Sequence, residues 1–337
     1  MRRLLVDTHV LSGEARSLPL SWLADFEFLP FAPRALRGNL DADALLVRTT
    51  TRVDAHALAG LPNLRALATL SSGTDHLDLA AISERQVSLH TGHGGNALAV
   101  ADWVLWALTR LPLQHRRVLI VGVGAVGTAV AELLAANGLD VTLCDPPRAE
   151  REPNFTPLTL DEALGQGPWG AVTLHVPKVT AGPHATANLL DGPRLKRLQG
   201  AVVLNAARGG VVEEATAVAL RRSGHLAGLA VDTFVGEPAP LPELLRVADL
   251  VTPHIAGHSV EGKLRVAHRA VTGLRSALGM RPPGALETAI AGQCAELHHV
   301  DLSPFAALDA AASALQKAPL QFEAIRHAHR RLEQFLR

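Results

Sequence analysis

The sequence predicts an α/β protein built on parallel sheets, and three observations support this prediction. Short apolar runs alternate with helical stretches, which is typical of parallel strands joined by helices. The alternation occurs twice, over residues 1–90 and again after a long predicted helix at Asn96–Thr109. The chain has 337 residues, enough for about two domains, and its 48% of hydrophobic residues can fill their cores.

The first set of apolar runs predicts one group of strands. Each run is short and is separated from the next by turn residues or by a helical stretch. The predicted strands are Arg3–Val6, Phe26–Leu29, Ala44–Val47, Leu67–Leu70 and Val87–His90. This group therefore predicts a first parallel sheet.

The second set of apolar runs predicts a larger sheet. Its strands are Val118–Val121, Val141–Cys144, Val172–Val176, Val202–Asn205, Leu229–Asp232 and Leu250–Thr252. Strands of this number and kind suit a doubly wound nucleotide-binding sheet. A second long helix is predicted at Val260–Leu278, and a linker rich in Gly and Pro follows it at 279–284. The rest of the chain is Ala-rich, helical in pattern and too short to fold alone, so we expect it to pack on its own subunit or on a partner.

The composition argues against several classes of protein. The 32 basic and 32 acidic residues give a net charge of zero, which argues against binding to nucleic acid or to an anionic membrane. The two cysteines, Cys144 and Cys294, predict no disulfide framework and no metal site, and a reducing, cytoplasmic setting is expected. The longest apolar run, Val118–Ala131, has 14 residues, which is short of the roughly 18 that a membrane span needs.

A dinucleotide-binding fingerprint opens the second set. Gly122, Gly124 and Gly127 form Gly-x-Gly-x-x-Gly directly after a predicted strand, and they begin a helix. The next strand ends before Asp145, which lies 18 residues beyond the third glycine. The glycines let the backbone approach a pyrophosphate, and the acid accepts hydrogen bonds from the ribose and repels a 2′-phosphate, so NAD is predicted. The nearby Arg148 tempers this preference, and a glycine-rich turn without a ligand is the alternative.

Three charged side chains follow later strands of this set. Arg208, Glu237 and His254 lie in strand ends or loops, and we expect them to converge because the carboxyl ends of such strands face the ligand crevice. Their types suit the oxidation of a 2-hydroxy acid: His254 takes the hydroxyl proton, Glu237 orients the imidazole, and Arg208 binds the carboxylate. A surface ion pair, a turn residue and a histidine that bonds a backbone carbonyl are the respective alternatives.

With these motifs, the chain resembles the D-isomer-specific 2-hydroxyacid dehydrogenases, whose Arg, Glu and His motifs match the three residues above. Within this family it most resembles the erythronate-4-phosphate dehydrogenases, over about residues 1–280. The closer likeness rests on Val47-Arg48, Ser72-Gly73-Thr74-Asp75-His76-Leu77-Asp78, Gly94-Gly95-Asn96-Ala97-Leu98-Ala99-Val100, Leu143-Cys144-Asp145-Pro146-Pro147-Arg148, Pro253-His254-Ile255-Ala256-Gly257 and Glu261-Gly262-Lys263. The sequence departs from the family at His258, where a tyrosine is expected, and in its shorter C-terminal tail.

The resemblance implies an architecture of three parts. Residues 1–95 with 256–279 are expected to form a discontinuous lid or substrate domain of flavodoxin-like fold. Residues 96–255 are expected to form a Rossmann-type NAD-binding domain. Residues 280–337 are expected to form a small helical C-terminal extension, which corresponds to a shortened dimerisation unit, so a homodimer is expected.

The resemblance also implies the contacts of the site. The cofactor is expected to contact Gly122, Gly124, Ala125, Val126, Gly127, Asp145, His175, Val176, Pro177, Ala206, Arg208, Asp232, His254 and Gly257. The substrate is expected to contact Arg208, which also belongs to the cofactor set. Its other expected contacts are Arg48, Thr49, Ser72, Gly73 and Lys263. Arg48, Thr49 and Lys263 suit a phosphate, which favours Arg, Lys and hydroxyl donors. A surface residue at a strand end and a solvated helix position are the alternatives for Arg48 and Lys263.

The reaction implied by the resemblance is NAD-dependent oxidation of 4-phospho-D-erythronate to 2-oxo-3-hydroxy-4-phosphobutanoate, in pyridoxal 5′-phosphate biosynthesis. Another D-2-hydroxyacid dehydrogenase, of the hydroxypyruvate/glyoxylate reductase or phosphoglycerate dehydrogenase type, is the first alternative. An unphosphorylated substrate would not need the cluster of Arg48 and Lys263. A non-catalytic NADH-sensing interaction protein is the second alternative, because the C-terminal binding protein corepressors resemble this family and retain its Arg, Glu and His.

Other histidines and tryptophans are interpreted as structural. His76 is predicted to be a structural residue in a turn, and Trp103 and Trp106 are predicted to pack in a core or an interface. The histidines near the C-terminus lack a metal-ligand pattern and are predicted at the surface of the tail: His298, His299, His327 and His329.

Overall fold

Two parallel β-sheets organise the protein, and the predicted α/β fold class is confirmed. The computed structural model describes residues 1–11, 18–33, 36–38, 40–156, 158–296, 304–329 and 331–333. The chain divides into two units. The first unit comprises Met1–Asn96 and Ser259–Val300, and the second comprises Ala97–His258 and Asp301–Arg337.

The strands lie close to the apolar runs that predict them. They are β1 (Arg2–Asp7), β2 (Phe26–Phe31), β3 (Ala44–Val47), β4 (Ala66–Thr69), β5 (Ser88–Thr91), β6 (Arg117–Val121), β7 (Asp140–Cys144), β8 (Ala171–Leu174), β9 (Val202–Asn205), β10 (Gly228–Val231) and β11 (Leu250–Val251). The strand predicted to run on to Val176 ends two residues earlier, at Leu174. Leu174 pairs with Val121, the last residue of β6, and Gly122 then turns the chain away with a φ of +86°.

Helices connect the strands and form the C-terminal part of the chain. They are α1 (Thr8–Leu11), α2 (Ala55–Ala59), α3 (Leu79–Glu84), α4 (Ala97–Arg110), α5 (Ala125–Ala136), α6 (Pro146–Ala149), α7 (Leu160–Gly165), α8 (Gly192–Leu195), α9 (Glu214–Arg222), α10 (Pro242–Val247), α11 (Val260–Ala277), α12 (Leu286–Glu296), α13 (Pro304–Lys317) and α14 (Phe322–Ala328), with 3₁₀ turns at Leu20–Leu23 and Pro319–Gln321. The two long predicted helices correspond to α4 and α11. Among the described residues, none of the helices combines the length and the apolar character needed to cross a bilayer.

The first unit contains a five-stranded sheet in the order β2-β1-β3-β4-β5. All of the strand pairings in this sheet are parallel. The strand order is the flavodoxin-like order that is predicted. Every residue of β3 and β4 is buried, as expected for central strands of a parallel sheet. The helix α11 packs against β4 and β5, and a Cβ on Gly92 would lie only 2.7 Å from the Val266 Cα atom. The helix α11 therefore belongs to the first unit.

The second unit contains a six-stranded sheet in the order β11-β10-β9-β8-β6-β7. All of its pairings are parallel. The chain order reverses between β6 and β8, and the carboxyl ends of strands at such a switch point are where doubly wound sheets bind ligands. The sheet is the doubly wound, Rossmann-type sheet that the sequence predicts, and its glycine-rich turn follows β6 at the switch point.

The helices α13 and α14 pack on the second unit, whereas α12 belongs to the first unit. Leu308 on α13 is buried in the hydrophobic cluster formed with α4, and Phe322 on α14 is buried in the other core cluster of this unit. Trp103 and Trp106 on α4 are fully buried, which confirms their predicted core packing. The Trp106 indole donates a hydrogen bond to the Asp309 carboxylate at 2.9 Å. The part of the tail formed by α13 and α14 therefore packs on its own subunit.

The histidines of the tail have different environments. His327 is exposed, as predicted, with 74% of its side chain accessible to solvent. The prediction for His329 is wrong, because this residue is buried. It follows the end of α14, where the chain turns inward, and the next described residue, Arg331, is buried as well. His298 and His299 lie outside the described residues.

His76 lies in the turn after β4 as a structural residue, and its Nε2 atom is 2.9 Å from the Thr69 hydroxyl. Burial lowers the pKa of His76 to about 4, although the Asp75 carboxylate acts in the opposite direction. The unfolded chain takes up the proton near pH 6.5 and the folded chain does not, so the free energy of unfolding falls as the pH drops from about 6.5 towards 4. We expect His76→Gln to lose this contribution, which is at most about 1.4 kcal/mol per pH unit.

Melting curves recorded between about pH 7 and 5 measure this effect as a change in the thermal midpoint. The exposed His56 of the same unit provides the control variant His56→Gln. We expect the control to keep the pH dependence of the wild type and His76→Gln to have a weaker one. An equal pH dependence in all three proteins would contradict the assignment.

Candidate active site

The glycine-rich turn after β6 combines two crowded glycines with one open glycine. A Cβ on Gly122 would lie 2.7 Å from the carbonyl oxygen of His175, and a Cβ on Gly127 would lie 2.0 Å from the carbonyl oxygen of Gly122. Both positions therefore exclude a side chain. A Cβ on Gly124 would meet no atom within 4 Å. This open space lies at the N-terminus of α5, where a pyrophosphate binds in dinucleotide folds.

The first turn of α5 presents its backbone N–H groups to that space. The N-cap residue is Gly124, which has no side chain that could accept a hydrogen bond from these groups. The positive end of the helix dipole adds to the attraction for an anion. The residues of this turn, including Ala125 and Val126, therefore fit the diphosphate of NAD.

Asp145 and Arg148 hold the turn from the neighbouring strand. The Asp145 carboxylate accepts hydrogen bonds from the backbone N–H groups of Val123, at 2.7 Å, and of Arg148, at 2.9 Å. The Arg148 guanidinium donates to the Val123 carbonyl and to the Glu152 carboxylate, both at 2.8 Å, and stacks on Phe155. The charge of Arg148 is thus compensated inside the protein, which favours NAD over a cofactor with a 2′-phosphate.

His175 follows β8, next to the switch point of the sheet. Its backbone N–H group donates to the Val121 carbonyl at 2.8 Å, and its Nε2 atom is 3.0 Å from the Thr173 hydroxyl. Burial lowers the pKa of His175 to about 3, so the imidazole is neutral at ordinary pH. Its buried Nδ1 atom has no hydrogen-bond partner among the described residues. A buried polar atom without a partner is costly, and Val176 and Pro177, two further predicted cofactor contacts, follow directly after this residue.

Arg208 lies on the loop that follows β9. The Asn205 side chain shapes this loop, because it accepts from the Ala207 backbone N–H group and donates to the Arg208 carbonyl, both at 3.1 Å. A Cβ on Gly209 would lie 1.9 Å from the carbonyl oxygen of Phe234. The loop of Arg208 therefore lies directly against the loop after β10, and only a glycine permits this approach.

Asp232 directly follows β10 and organises the loop of His254. Its Oδ1 atom accepts hydrogen bonds from the Thr252 hydroxyl, at 2.5 Å, and from the Ile255 N–H group, at 2.8 Å. Its Oδ2 atom accepts from the Ala256 N–H group at 3.0 Å. Burial raises the pKa of Asp232, and the charge of His254 and these hydrogen bonds oppose the rise. The contacts of this carboxylate support the loop of His254, a role that the sequence reasoning missed.

His254 adopts a left-handed backbone conformation with a φ of +55°, which is unfavourable for a residue with a side chain. Its N–H group donates to the Asp232 carbonyl at 2.8 Å, and the two following N–H groups donate to the Asp232 carboxylate. These bonds hold the loop in the uncommon conformation. Thr252 is held in turn by the Trp103 indole at 2.9 Å.

Glu237 and His254 form a hydrogen-bonded pair. The His254 Nδ1 atom is 2.8 Å from the Glu237 Oε2 atom, and the other oxygen of Glu237 accepts from the Phe234 N–H group at 2.9 Å. Burial raises the pKa of Glu237, but the hydrogen bond and the charge of His254 outweigh burial, so this pKa lies below its usual value. A charged Glu237 orients the imidazole through Nδ1 and leaves the Nε2 atom available to a substrate.

The predicted substrate residues of the first unit follow the carboxyl ends of its strands. Arg48 and Thr49 follow β3, and Ser72 and Gly73 follow β4. The Ser72 hydroxyl donates to the side-chain oxygen of Asn96 at 2.8 Å.

Lys263 lies in the first turns of α11, which begins after the N-cap Ser259. Within the described ranges, no group of three or more His, Cys, Asp or Glu side chains is arranged to hold a metal ion.

The sequence reasoning missed Asn205 and Thr252 as supports of the site. Both are buried polar residues. Asn205 is the last residue of β9, and Thr252 directly follows β11. A buried polar side chain at that place needs a partner, and the carboxyl edge of the sheet supplies it. This pattern is a usable signal for loop-supporting residues.

Comparisons with known proteins identify the family of the chain. Residues 91–256 match the NAD-binding domain of the D-isomer specific 2-hydroxyacid dehydrogenases. The erythronate-4-phosphate dehydrogenase of Shewanella baltica (strain OS185) is 39% identical over 232 residues, which are 67% of this chain and 61% of that protein. The enzyme of the same name from Cronobacter sakazakii (strain ATCC BAA-894) is 37% identical over 293 residues, 85% of this chain and 76% of that protein.

A solved structure extends the comparison to the fold. The NAD-dependent formate dehydrogenase from Staphylococcus aureus, in complex with NAD, is 26% identical with a TM-score of 0.62, and the alignment covers 80% of this chain and 93% of that chain. The chain spans 61% of the length of the first relative named above. The matched NAD-binding domain and the relatives agree, and the chain belongs to the D-isomer-specific 2-hydroxyacid dehydrogenases, a family of NAD-dependent enzymes.

Proposed function

We propose that the protein oxidises 4-phospho-D-erythronate to 2-oxo-3-hydroxy-4-phosphobutanoate with NAD as the oxidant. The reaction type is supported by the 2.8 Å contact between Glu237 and His254 at the carboxyl edge of the second sheet. The substrate is supported by the erythronate-4-phosphate dehydrogenases that are 35–39% identical to the chain. By the same likeness, the step belongs to pyridoxal 5′-phosphate biosynthesis and the protein is a cytoplasmic homodimer.

The residues divide the chemistry between them. Bound NAD supplies a hydride acceptor for the carbon that carries the hydroxyl group. The Nε2 atom of His254 takes the hydroxyl proton, and Glu237 stabilises the imidazolium that forms. Arg208 binds the substrate carboxylate with its planar fork and polarises the carbonyl that develops. In the reverse direction, the protonated His254 returns its proton to the carbonyl oxygen.

The two ends of the substrate require separate anion sites. We assign the phosphate to Arg48, Thr49 and Lys263, since a doubly charged phosphate favours Arg, Lys and hydroxyl donors. The backbone N–H groups at Ser72 and Gly73 join Arg208 at the carboxylate. An unphosphorylated hydroxy acid would make no use of the phosphate residues.

The test is turnover of purified protein with NAD, followed by the absorbance of the reduced cofactor, with a scavenger that traps the 2-oxo product. D-Erythronate, 3-phosphoglycerate and D-glycerate are assayed separately for comparison. We expect kcat/KM for 4-phospho-D-erythronate to exceed those for D-erythronate and D-glycerate by about 100-fold or more, because these two acids lack the phosphate and lose its charge-assisted contacts. Arg48→Ala should lower the preference over D-erythronate, and the exposed Arg52→Ala is the matched control.

Each other outcome has a defined meaning. Turnover confined to another acid would overturn the substrate and the phosphate residues but keep the acid–base pair. NADH binding without turnover of any acid would favour the NADH-sensing alternative. Light scattering of the purified protein tests the homodimer.

A further inference from the structure

The C-terminal segment, residues 322–333, contacts the loops that carry the acid–base pair. Phe322 at the start of α14 packs edge-on against Phe234, with ring centres 5.9 Å apart and planes at 78°. Phe234 is the residue whose backbone N–H group holds the carboxylate of Glu237. The segment thus supports the loop of Glu237 from within the same unit.

Arg331, near the end of the same segment, contacts the loop of His254. Its side chain is completely buried, and its Nη2 atom donates to the carbonyls of Ala256 and Ala99, both at 2.7 Å. Its Nη1 atom is 3.5 Å from the Asp102 carboxylate, which is also completely buried. The guanidinium therefore joins the loop of His254 to α4, with a buried counter-charge beside it.

Both backbone polar groups of Ala256, its N–H group and its carbonyl, form hydrogen bonds to charged side chains. Its N–H group donates to Asp232, and its carbonyl accepts from Arg331. Ala256 lies two residues beyond His254, whose backbone is held in the left-handed region. A loop in such a conformation persists only where its surroundings determine it, and Arg331 completes those surroundings.

A buried ion pair is weak evidence for stability, because the cost of removing both charges from water offsets their attraction. A planar guanidinium does, however, fix the direction of each carbonyl that it bonds. The arrangement of Arg331 is therefore suited to setting geometry.

We propose that Arg331 is a positioning residue for His254, and that the C-terminal segment completes the acid–base site of its own subunit. The inference rests on the proposed role of Glu237 and His254 in proton transfer. It gives the C-terminal segment a function within the subunit.

The test uses the double variant Arg331→Met/Asp102→Leu in the full chain. It removes both buried charges together, which avoids a carboxylate left without this counter-charge and preserves the fold. We expect kcat to fall by about tenfold or more, KM for NAD to stay within about twofold, and the solvent isotope effect on kcat to rise as proton transfer becomes limiting. Arg331→Lys, which keeps a charged donor next to Asp102 but not the planar fork, should have a kcat between those of the wild type and the double variant.

Hydrogen exchange gives a readout that does not depend on turnover. The amides of Ile255 and Ala256 should exchange faster in the double variant, because their bonds to Asp232 loosen. If the wild type turns over no 2-hydroxy acid, the proposed function fails, while the exchange of these amides still tests the positioning by Arg331. Should the double variant not fold, Arg331→Gln/Asp102→Asn, which keeps polar groups of similar size, takes its place.

The matched control is a second buried arginine. Arg275 of α11, in the first unit, is buried and donates to the Trp22 carbonyl at 3.0 Å and to Asp25 at 2.6 Å, although the Asp25 side chain is 58% exposed. Arg275→Met/Asp25→Leu should leave kcat and the exchange of the His254 loop unchanged. Unchanged kcat in the Arg331 double variant would overturn the proposal, and so would a loss of kcat with unchanged exchange at residues 255 and 256.

Discussion

Replacing His254 with asparagine is expected to lower kcat for the 2-hydroxy acid by about 10²- to 10⁴-fold, the usual contribution of a general acid–base residue. Asparagine retains a polar side chain but cannot take up the hydroxyl proton. The glycine-rich turn is untouched, so NADH should bind with nearly the affinity of the wild type. Steady-state kinetics and fluorescence titration with NADH measure the two quantities separately.

His225 provides the control for this substitution. It lies before β10, at the opposite edge of the same sheet, and its Nε2 atom is 3.0 Å from the Lys196 carbonyl. His225→Asn should leave kcat close to that of the wild type. If His254→Asn also stayed within about threefold of the wild type, its assigned role in proton transfer would be wrong.

Replacing Arg208 with alanine is expected to lower kcat/KM for the 2-hydroxy acid by about 10²- to 10³-fold, because two charge-assisted hydrogen bonds to the carboxylate are lost. Arg208→Lys should fall between the wild type and the alanine variant, since an ammonium keeps the charge but not the planar fork. Initial rates over a range of substrate concentrations give kcat and KM for each variant.

Arg222 is the matched arginine for this comparison. It lies on α9, has 61% of its side chain exposed and pairs with Glu243. Surface ion pairs contribute little to stability, so Arg222→Ala should resemble the wild type. An Arg208→Ala enzyme with a wild-type kcat/KM would remove this residue from the carboxylate site.

The strands and the glycine-rich turn could be predicted because their signals are local. A central strand of a parallel sheet is buried on both faces, so it appears in the sequence as a continuous apolar run. Ala44–Val47 and Val202–Asn205 are such runs, and the structure has strands with the same ends. A side chain at position 127 would collide with the carbonyl oxygen of Gly122, five residues earlier. A side chain at position 122 would collide with the carbonyl oxygen of His175, which directly follows the adjacent strand β8.

The residues that support the pair of Glu237 and His254 could not be predicted in the same way. The resemblance implies that Asp232 contacts the cofactor, and the structure shows its carboxylate bonded to groups 20 to 24 residues later in the chain. Arg331 bonds a carbonyl that lies 75 residues earlier. No periodicity relates such positions, because the contacts arise only when several strands and helices have assembled.

The burial of residues in the tail could not be predicted from the sequence either. The residues after α14 are polar, and polar residue types predict exposure to solvent. His329 and Arg331 are nevertheless buried. A buried arginine requires a counter-charge and oriented carbonyls, and these are supplied by Asp102 on α4 and by the loop of His254.

The sequence by itself determined the elements of this protein: the apolar runs that become strands, the glycines that bring a backbone close to a dinucleotide, and the identities of Arg208, Glu237 and His254. The tertiary structure alone decided how the pair of Glu237 and His254 is held, because its backbone strain, its buried carboxylate and its link to the tail depend on residues distant in the chain. Side-chain identity is local chemistry, whereas orientation is a property of the packed core.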